Sequence, residues 1–193
     1  MHFFNKQELI IVGAILIAII GVSIPNFATS IMRARDSQRK NDLGTLKNAL
    51  ATFQNDLGSY PLSSADGKIL ACDPVETTAV SKETVITYGS CDWGNDPFAD
   101  ELDPTYPAYI KILPHDPKSD TGASYLYISN GARFQVYAHL EVEEDEFDPK
   151  IVARGLACGD QICNFGKSSG DTPLEKSIEE YENELLEEKR LPN

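Results

Sequence analysis

The chain has 193 residues, with 30 acids against 17 Lys and Arg and a formal net charge of -13 at pH 7. That length allows one head domain of modest size beside an appended helix. Such acidity excludes nucleic-acid binding through a phosphate-neutralising face, which requires clustered Lys and Arg.

From the amino end, Phe4-Asn5-Lys6-Gln7-Glu8 leads into an uncharged run from Leu9 to Met32. Leu9 to Val22 is almost wholly Leu, Ile, Val, Ala and Gly, and with Ser23 to Ala28 it reaches roughly 20 residues, the length of a membrane span. A secretory signal peptide needs a basic leading segment, a shorter apolar core and a small-residue cleavage site. Lys6 and His2 are the only candidate cations here and no such site follows, so the run reads as a retained helix. Glu8 at its entrance is a lone carboxylate that burial would disfavour unless an opposite charge comes within reach. After Arg33, Arg35, Arg39 and Lys40, the residues Leu43, Leu46, Leu50, Phe53 and Leu57 recur at helical spacing, which predicts one helix from the membrane out to Leu57. Gly58 suits the left-handed position past a helix end, with Pro61 shortly beyond. Pro25 predicts a kink or loosened turn.

Between Pro61 and Pro107, Asp66-Gly67, Asp73-Pro74, Asn95-Asp96-Pro97 and Asp103-Pro104 mark turns, with one predicted strand around Thr84 to Tyr88. Trp93, Phe98, Tyr106 and Tyr109 are expected to pack this loop onto a sheet rather than to form a binding patch. Tyr125 to Ile128 and Arg133 to Leu140, joined through Asn130-Gly131, predict a β-hairpin with a tight turn, and Ile151-Val152-Ala153 is read as a third strand. The fold class is therefore α+β: a long amino-terminal helix packed on a small antiparallel sheet. Cys72, Cys91, Cys158 and Cys163 are an even count in a segment expected to be exported, which predicts disulfides. Sequence proximity suggests 72 with 91 and 158 with 163, among three open connectivities. Zinc is disfavoured by the wide Cys-x4-Cys spacing and the scattered histidines. The Cys158 to Gly166 stretch reads as a stapled surface loop. From Glu141 to Asn193 there are 15 acids against 6 bases, so most of the net charge lies there. Thr172-Pro173-Leu174-Glu175 predicts the cap of an acidic carboxy-terminal helix, either solvated or docked through Leu174, Ile178, Tyr181 and Leu185.

Several of these residues together carry a resemblance. Glu8 close behind Phe4, the apolar core, Ile24-Pro25-Asn26-Phe27, Ala34 to Leu43 and Gly58-Ser59-Tyr60-Pro61 resemble the amino-terminal helix of type IV pilins and type II secretion pseudopilins. The likeness covers about 60 residues, and the Glu8-to-Pro25 spacing is its most specific part. It extends more weakly to Tyr109 to Pro117 and the following hairpin, which are similar to the sheet region of major pseudopilins. The resemblance implies a leader of residues 1–3 cut by a prepilin peptidase between Phe3 and Phe4, methylation of the new amine at Phe4, and a role for Glu8 in neutralising that amine on a neighbouring copy. Phe4, Glu8 and Pro25 are thus the implied assembly residues. Family members usually carry Gly before the cut, where this chain has Phe3.

The domain plan that follows is a membrane half of the helix over 4–28, an amphipathic half over 29–58, a head over 59–157, and a Cys loop with acidic helix over 158–193. The implied partners are other copies of the chain, the peptidase, the filament assembly platform and the lipid bilayer. The implied location is the cytoplasmic (inner) membrane, single-pass, with the head outside the cytoplasm and the assembled form in a periplasmic or extracellular filament. Arg33, Arg35, Arg39 and Lys40 are expected to face lipid headgroups or acids of neighbouring copies. Several related heads hold calcium, and Asp116, Ser119 and Asp120 offer oxygen ligands, although calcium wants six to eight and Asp116-Pro117 also reads as a simple turn. No other cofactor is expected. Gly-x-Ser-x-Gly, Walker and His-Glu-x-x-His patterns are absent, so an enzyme is not expected. The alternative to a filament subunit is a membrane-tethered binding or sensor module that does not polymerise.

Overall fold

Helix α1 (Lys6–Leu57) runs for 52 residues, about 78 Å at 1.5 Å per residue. The computed structural model describes residues 5–78, 84–103, 105–143 and 146–190, with the side chains of 22–26, 76–78 and 84–85 outside that description. The backbone stays helical through Pro25. Gly58 closes the helix as expected, at φ 85, donating its N–H to the Gln54 carbonyl. Among the described side chains of α1, burial begins at Asp36 and then follows one face: Asp36, Arg39, Leu43, Leu46 and Leu50, in steps of three and four.

Two three-stranded antiparallel sheets stand beside the outer half of α1. The first orders β1 (Leu62–Ser63), β2 (Ile69–Thr78) and β3 (Thr84–Ser90). Strand β3 matches the predicted one, whereas β2 lies in what reads as loop, because Asp73-Pro74 looks like a turn. That pair sits instead at an irregularity in the β2–β3 register, where Asp73 takes a positive φ of 46. The second sheet orders β4 (Leu126–Ser129), β5 (Phe134–Ala138) and β8 (Phe165–Ser168). A short hairpin, β6 (Ala157–Cys158) with β7 (Gln161–Ile162), lies between.

The predicted hairpin is β4–β5, in the register Leu126 to Tyr137 and Ser129 to Phe134. Its turn differs from the expected two-residue type. Four residues span it, only Gly131 has positive φ, and the Asn130 side chain accepts from the N–H groups of Ala132 and Arg133. Ile151-Val152-Ala153 is not a strand. It belongs to α2 (Pro149–Ala153), because Asp148 caps Lys150 N–H and Pro149 occupies the first helical position. The third strand comes from Phe165 to Ser168, so the 158–193 segment contributes directly to the head's sheet.

Strand β5 is buried at all five positions because both of its faces are covered. Phe134, Val136 and Ala138 pack with Leu43, Leu46 and Leu50 of α1. Tyr137 faces the other way, into a smaller cluster with Ile151, Cys158 and Cys163. The Cys158–Cys163 disulfide is therefore an internal staple rather than one on a surface loop, although Gln161 and Ile162 are exposed. Gln135 and Arg154 anchor the following segment, through bonds to the carbonyls of Pro173, Lys176 and Leu174.

The carboxy-terminal helix is present as α3 (Ile178–Arg190), starting later than the Thr172-Pro173 cap implies. Ser177 and Glu180 form the capping box: Ser177 Oγ accepts from Glu180 N–H, and the Glu180 carboxylate accepts from Ser177 N–H. Thr172 is buried instead, beside Arg133 and Ser169. Helix α3 docks on its own head by its first turns, with Ile178 buried, the Arg133 guanidinium 4.9 Å over the Tyr181 ring, and Glu182 on Asn130.

The Cys72–Cys91 disulfide, 19 residues apart, lies in the main core. A loop of that size constrains the unfolded chain by about 3 kcal/mol. Replacing both cysteines by serine is expected to lower the thermal midpoint by roughly 10 °C for a head of this size, read by calorimetry.

Candidate assembly face and charged neck

Large apolar side chains of the inner half of α1 are exposed among the described residues. Leu9, Ile10, Ile15, Leu16 and Ile17 are 53 to 73% exposed. Burying one such side chain is worth about 1.5–3 kcal/mol, so these five leave on the order of 10 kcal/mol unrealised in the single chain. An apolar face of this extent marks an interface with lipid or protein. Among the described residues no helix is long and apolar enough to cross a membrane. The expected span runs on through 22–26, and the continuous described side chains stop at Gly21, short of the roughly 20 residues a span needs.

Glu8 does not stand alone at the helix entrance. Its carboxylate accepts from the Asn5 backbone N–H at 2.9 Å, satisfying one of the unpaired donors of the first turn at the positive end of the helix dipole. Phe3 and Phe4 lie outside the described residues, as does the Pro25 side chain, so only Glu8 of the implied assembly set has a described environment.

Beyond the apolar half, the basic cluster turns inward. Arg39 is 1% exposed and grips three carboxylates. Nε and Nη2 bind the two oxygens of Asp116 at 2.8 and 2.9 Å, while Nη1 reaches Asp36 at 2.7 Å and Glu141 at 2.8 Å. Arg35 makes its own fork to Glu141 at 2.6 and 2.5 Å, and Lys40 pairs with Glu146 at 2.6 Å. Asp36 in turn accepts the N–H groups of Glu141 and Val142. The expected partners, headgroups or acids of neighbouring copies, are thus replaced for Arg35, Arg39 and Lys40 by acids of the same chain's head. The result is a charged latch at the neck, where the inner half of α1 meets the head.

Electrostatics follow from this packing. Burial works against the Arg39 cation, but its bonds to Asp116 and Glu141 outweigh that and raise its pKa. The Arg35 fork, with Arg39 adding to it against the burial penalty, brings Glu141 from 4.5 down to about 2. A carboxylate whose pKa falls on folding contributes stability above its unfolded value and loses it as pH drops toward the folded one. Glu141 is therefore expected to supply about 2–3 kcal/mol at neutral pH, lost between pH 4.5 and about 2. In urea titrations across that window, Glu141→Gln should start less stable at pH 7 and lose less on acidification.

Asp116 is committed to Arg39 by both oxygens, and Ser119 and Asp120 lie exposed on a short turn beyond it. Among the described residues no three His, Cys, Asp or Glu side chains converge as a metal site. The predicted aromatics pack into the core shared by α1 and the sheets: Phe98 is fully buried in it and stacks on Phe53 at 5.0 Å, Tyr109 joins them at 5.5 Å from Phe53, and the Tyr106 and Tyr109 hydroxyls both donate to Asp56. Trp93 meets Tyr125 edge-on. His139 donates from Nδ1 to the Ile162 carbonyl at 2.7 Å.

The latch residues Asp36, Asp116 and Glu141 are absent from the sequence reading as a group. One local signal was present: Asp36 and Arg39 continue the Leu43, Leu46, Leu50 stripe backward in the same steps, which places both charges on the buried face. Asp116 and Glu141, 77 and 102 residues from Arg39, carry no such signal. Comparisons with protein-family models, curated proteins and solved structures return no match to this chain.

Proposed function

We propose that this chain is a structural subunit of a type IV filament, a pilin or pseudopilin, anchored by the inner half of α1 in the cytoplasmic membrane with its head outside, and polymerised through that helix. The observation that carries the reading is the one-sided burial of α1: bare aliphatic side chains before the neck, a packed and ion-paired face after it. Bilayer lipid covers the bare half before assembly, and the same half of other copies covers it afterwards. The latch at Arg39 supports this division, because it ties the anchoring helix to the head by groups from two separate loops. In this reading Glu8, at the helix entrance, neutralises the terminal amine of a neighbouring copy once Phe4 is exposed by cleavage.

The reading assigns the chain no catalysis and no cofactor. Single cysteines introduced at Ile10 or Ile17, in a chain whose native cysteines are all paired, provide the test. Because one thiol per copy closes only one disulfide, oxidation of intact cells is expected to give a cross-linked dimer with either single cysteine and a ladder of longer products when both are present in one chain. Monomer alone, retained in the membrane fraction, would make the chain a tethered module that does not polymerise.

A further inference from the structure

A cleft of about 610 Å³ opens on the head, away from both the latch and the bare helix. It lies between the last turn of α1, strands β2 and β3, and the loop at 99–102. Phe53, Leu57, Leu70 and Ile86 contribute an apolar floor, and Asp100 and Glu101 stand at one side. The volume falls within the range of small-molecule sites, which are mostly apolar with a few placed polar groups.

The charge pattern around it is one-sided. Among the described residues no Lys, Arg or His lines the cleft. Among the described residues neither Asp100 nor Glu101 takes part in an ion pair, unlike the acids of the latch. Asp100 uses one oxygen to hold the Leu102 N–H at 3.0 Å, which fixes the carboxylate without neutralising it. Tyr88, half-buried in the wall, registers the field: burial first and then the charge of Asp100 raise its hydroxyl pKa. An apolar floor beside two unneutralised carboxylates complements a molecule with a flat or aliphatic body and one cationic end.

We propose that this cleft is a binding site for small organic cations, with the apolar body seated on Phe53, Leu70 and Ile86 and the ammonium directed at Asp100 and Glu101. The inference does not rest on the filament reading. Two semi-exposed charge pairs of this kind give roughly a threefold preference each.

The test uses full-length chain held in zwitterionic nanodiscs and three probes of one shape: 2-naphthylmethylammonium, 2-naphthylmethanol and 2-naphthoate. Methyl NMR signals of Leu70, Ile86 and Leu102 report occupancy of this cleft and not partition into lipid. The ammonium is expected to shift them saturably and to bind about 10-fold more tightly than the alcohol, with the naphthoate weakest. In the Asp100→Asn, Glu101→Gln double variant, which keeps an acceptor for Leu102 N–H, the ammonium and the alcohol should bind alike. Absence of a saturable shift, or equal affinity for all three probes in the native chain, overturns the proposal. So does a preference for the cation that survives in the double variant, because the net charge of the whole chain would then be its source.

Discussion

Arg39→Leu is expected to destabilise the head by about 3–5 kcal/mol, the usual effect of removing one partner from a buried ion pair. The magnitude follows from what is left behind: Asp116 at 1% exposure and Asp36 at 5% would each remain buried without a cation in contact. Against a total stability of 5–15 kcal/mol for an ordinary domain, that is a fifth or more. Arg39→Lys should recover only part of the loss, since one ammonium cannot reproduce the fork to Asp116 while also reaching Asp36 and Glu141. Urea unfolding followed by the near-ultraviolet signal of Trp93 and its neighbour Tyr125 reads both variants. A loss below about 1 kcal/mol for Arg39→Leu would mean that the latch is not what holds the head to α1.

The second large effect lies at the other end of the helix and should leave the head untouched. Ile17 is 73% exposed, so Ile17→Asp removes no packing within the chain. A carboxylate at the centre of an inserted helix is disfavoured by roughly 3 kcal/mol, about a hundredfold in the inserted fraction. Ile17→Asp is therefore expected to release chain from carbonate-washed membranes and to abolish cross-linking between copies, with the urea midpoint of the head unchanged. The two variants thus separate anchoring from head stability. Retention of Ile17→Asp in the membrane at the native level would contradict an anchor in this half of α1.

What could be read from the chain beforehand was mostly what local chemistry dictates. The extent of the outer helix followed from its stripe and from Gly58, the hairpin from alternation around Asn130-Gly131, and the cysteine pairs from proximity. Errors arose where a short motif admitted two local answers. Ile151-Val152-Ala153 is β-branched enough to resemble a strand, yet Asp148-Pro149 before it caps a helix. Thr172-Pro173 looked like a helix start, although Ser177 and Glu180 supply the better box five residues later. Asp73-Pro74 reads as a turn but forms an irregularity inside a paired strand.

The latch was the least legible feature because it is mostly tertiary. Apart from Asp36, three residues away on the same helix, its acids come from the loops around Asp116 and Glu141, 77 and 102 residues from Arg39. A basic run after an apolar helix suggests lipid headgroups, and in a single chain's sequence nothing distinguishes that from a buried clamp except the phase of Asp36 and Arg39 on the helix. That phase marks them as inward-facing.

The filament reading is tested most directly by shearing surface fibres from the native host and determining their subunit composition and amino terminus by mass spectrometry. The account predicts this chain as the repeating subunit, beginning at an N-methylated Phe4. Fibres that lack it, with intact chain from Met1 found only as membrane-bound monomer, would contradict it.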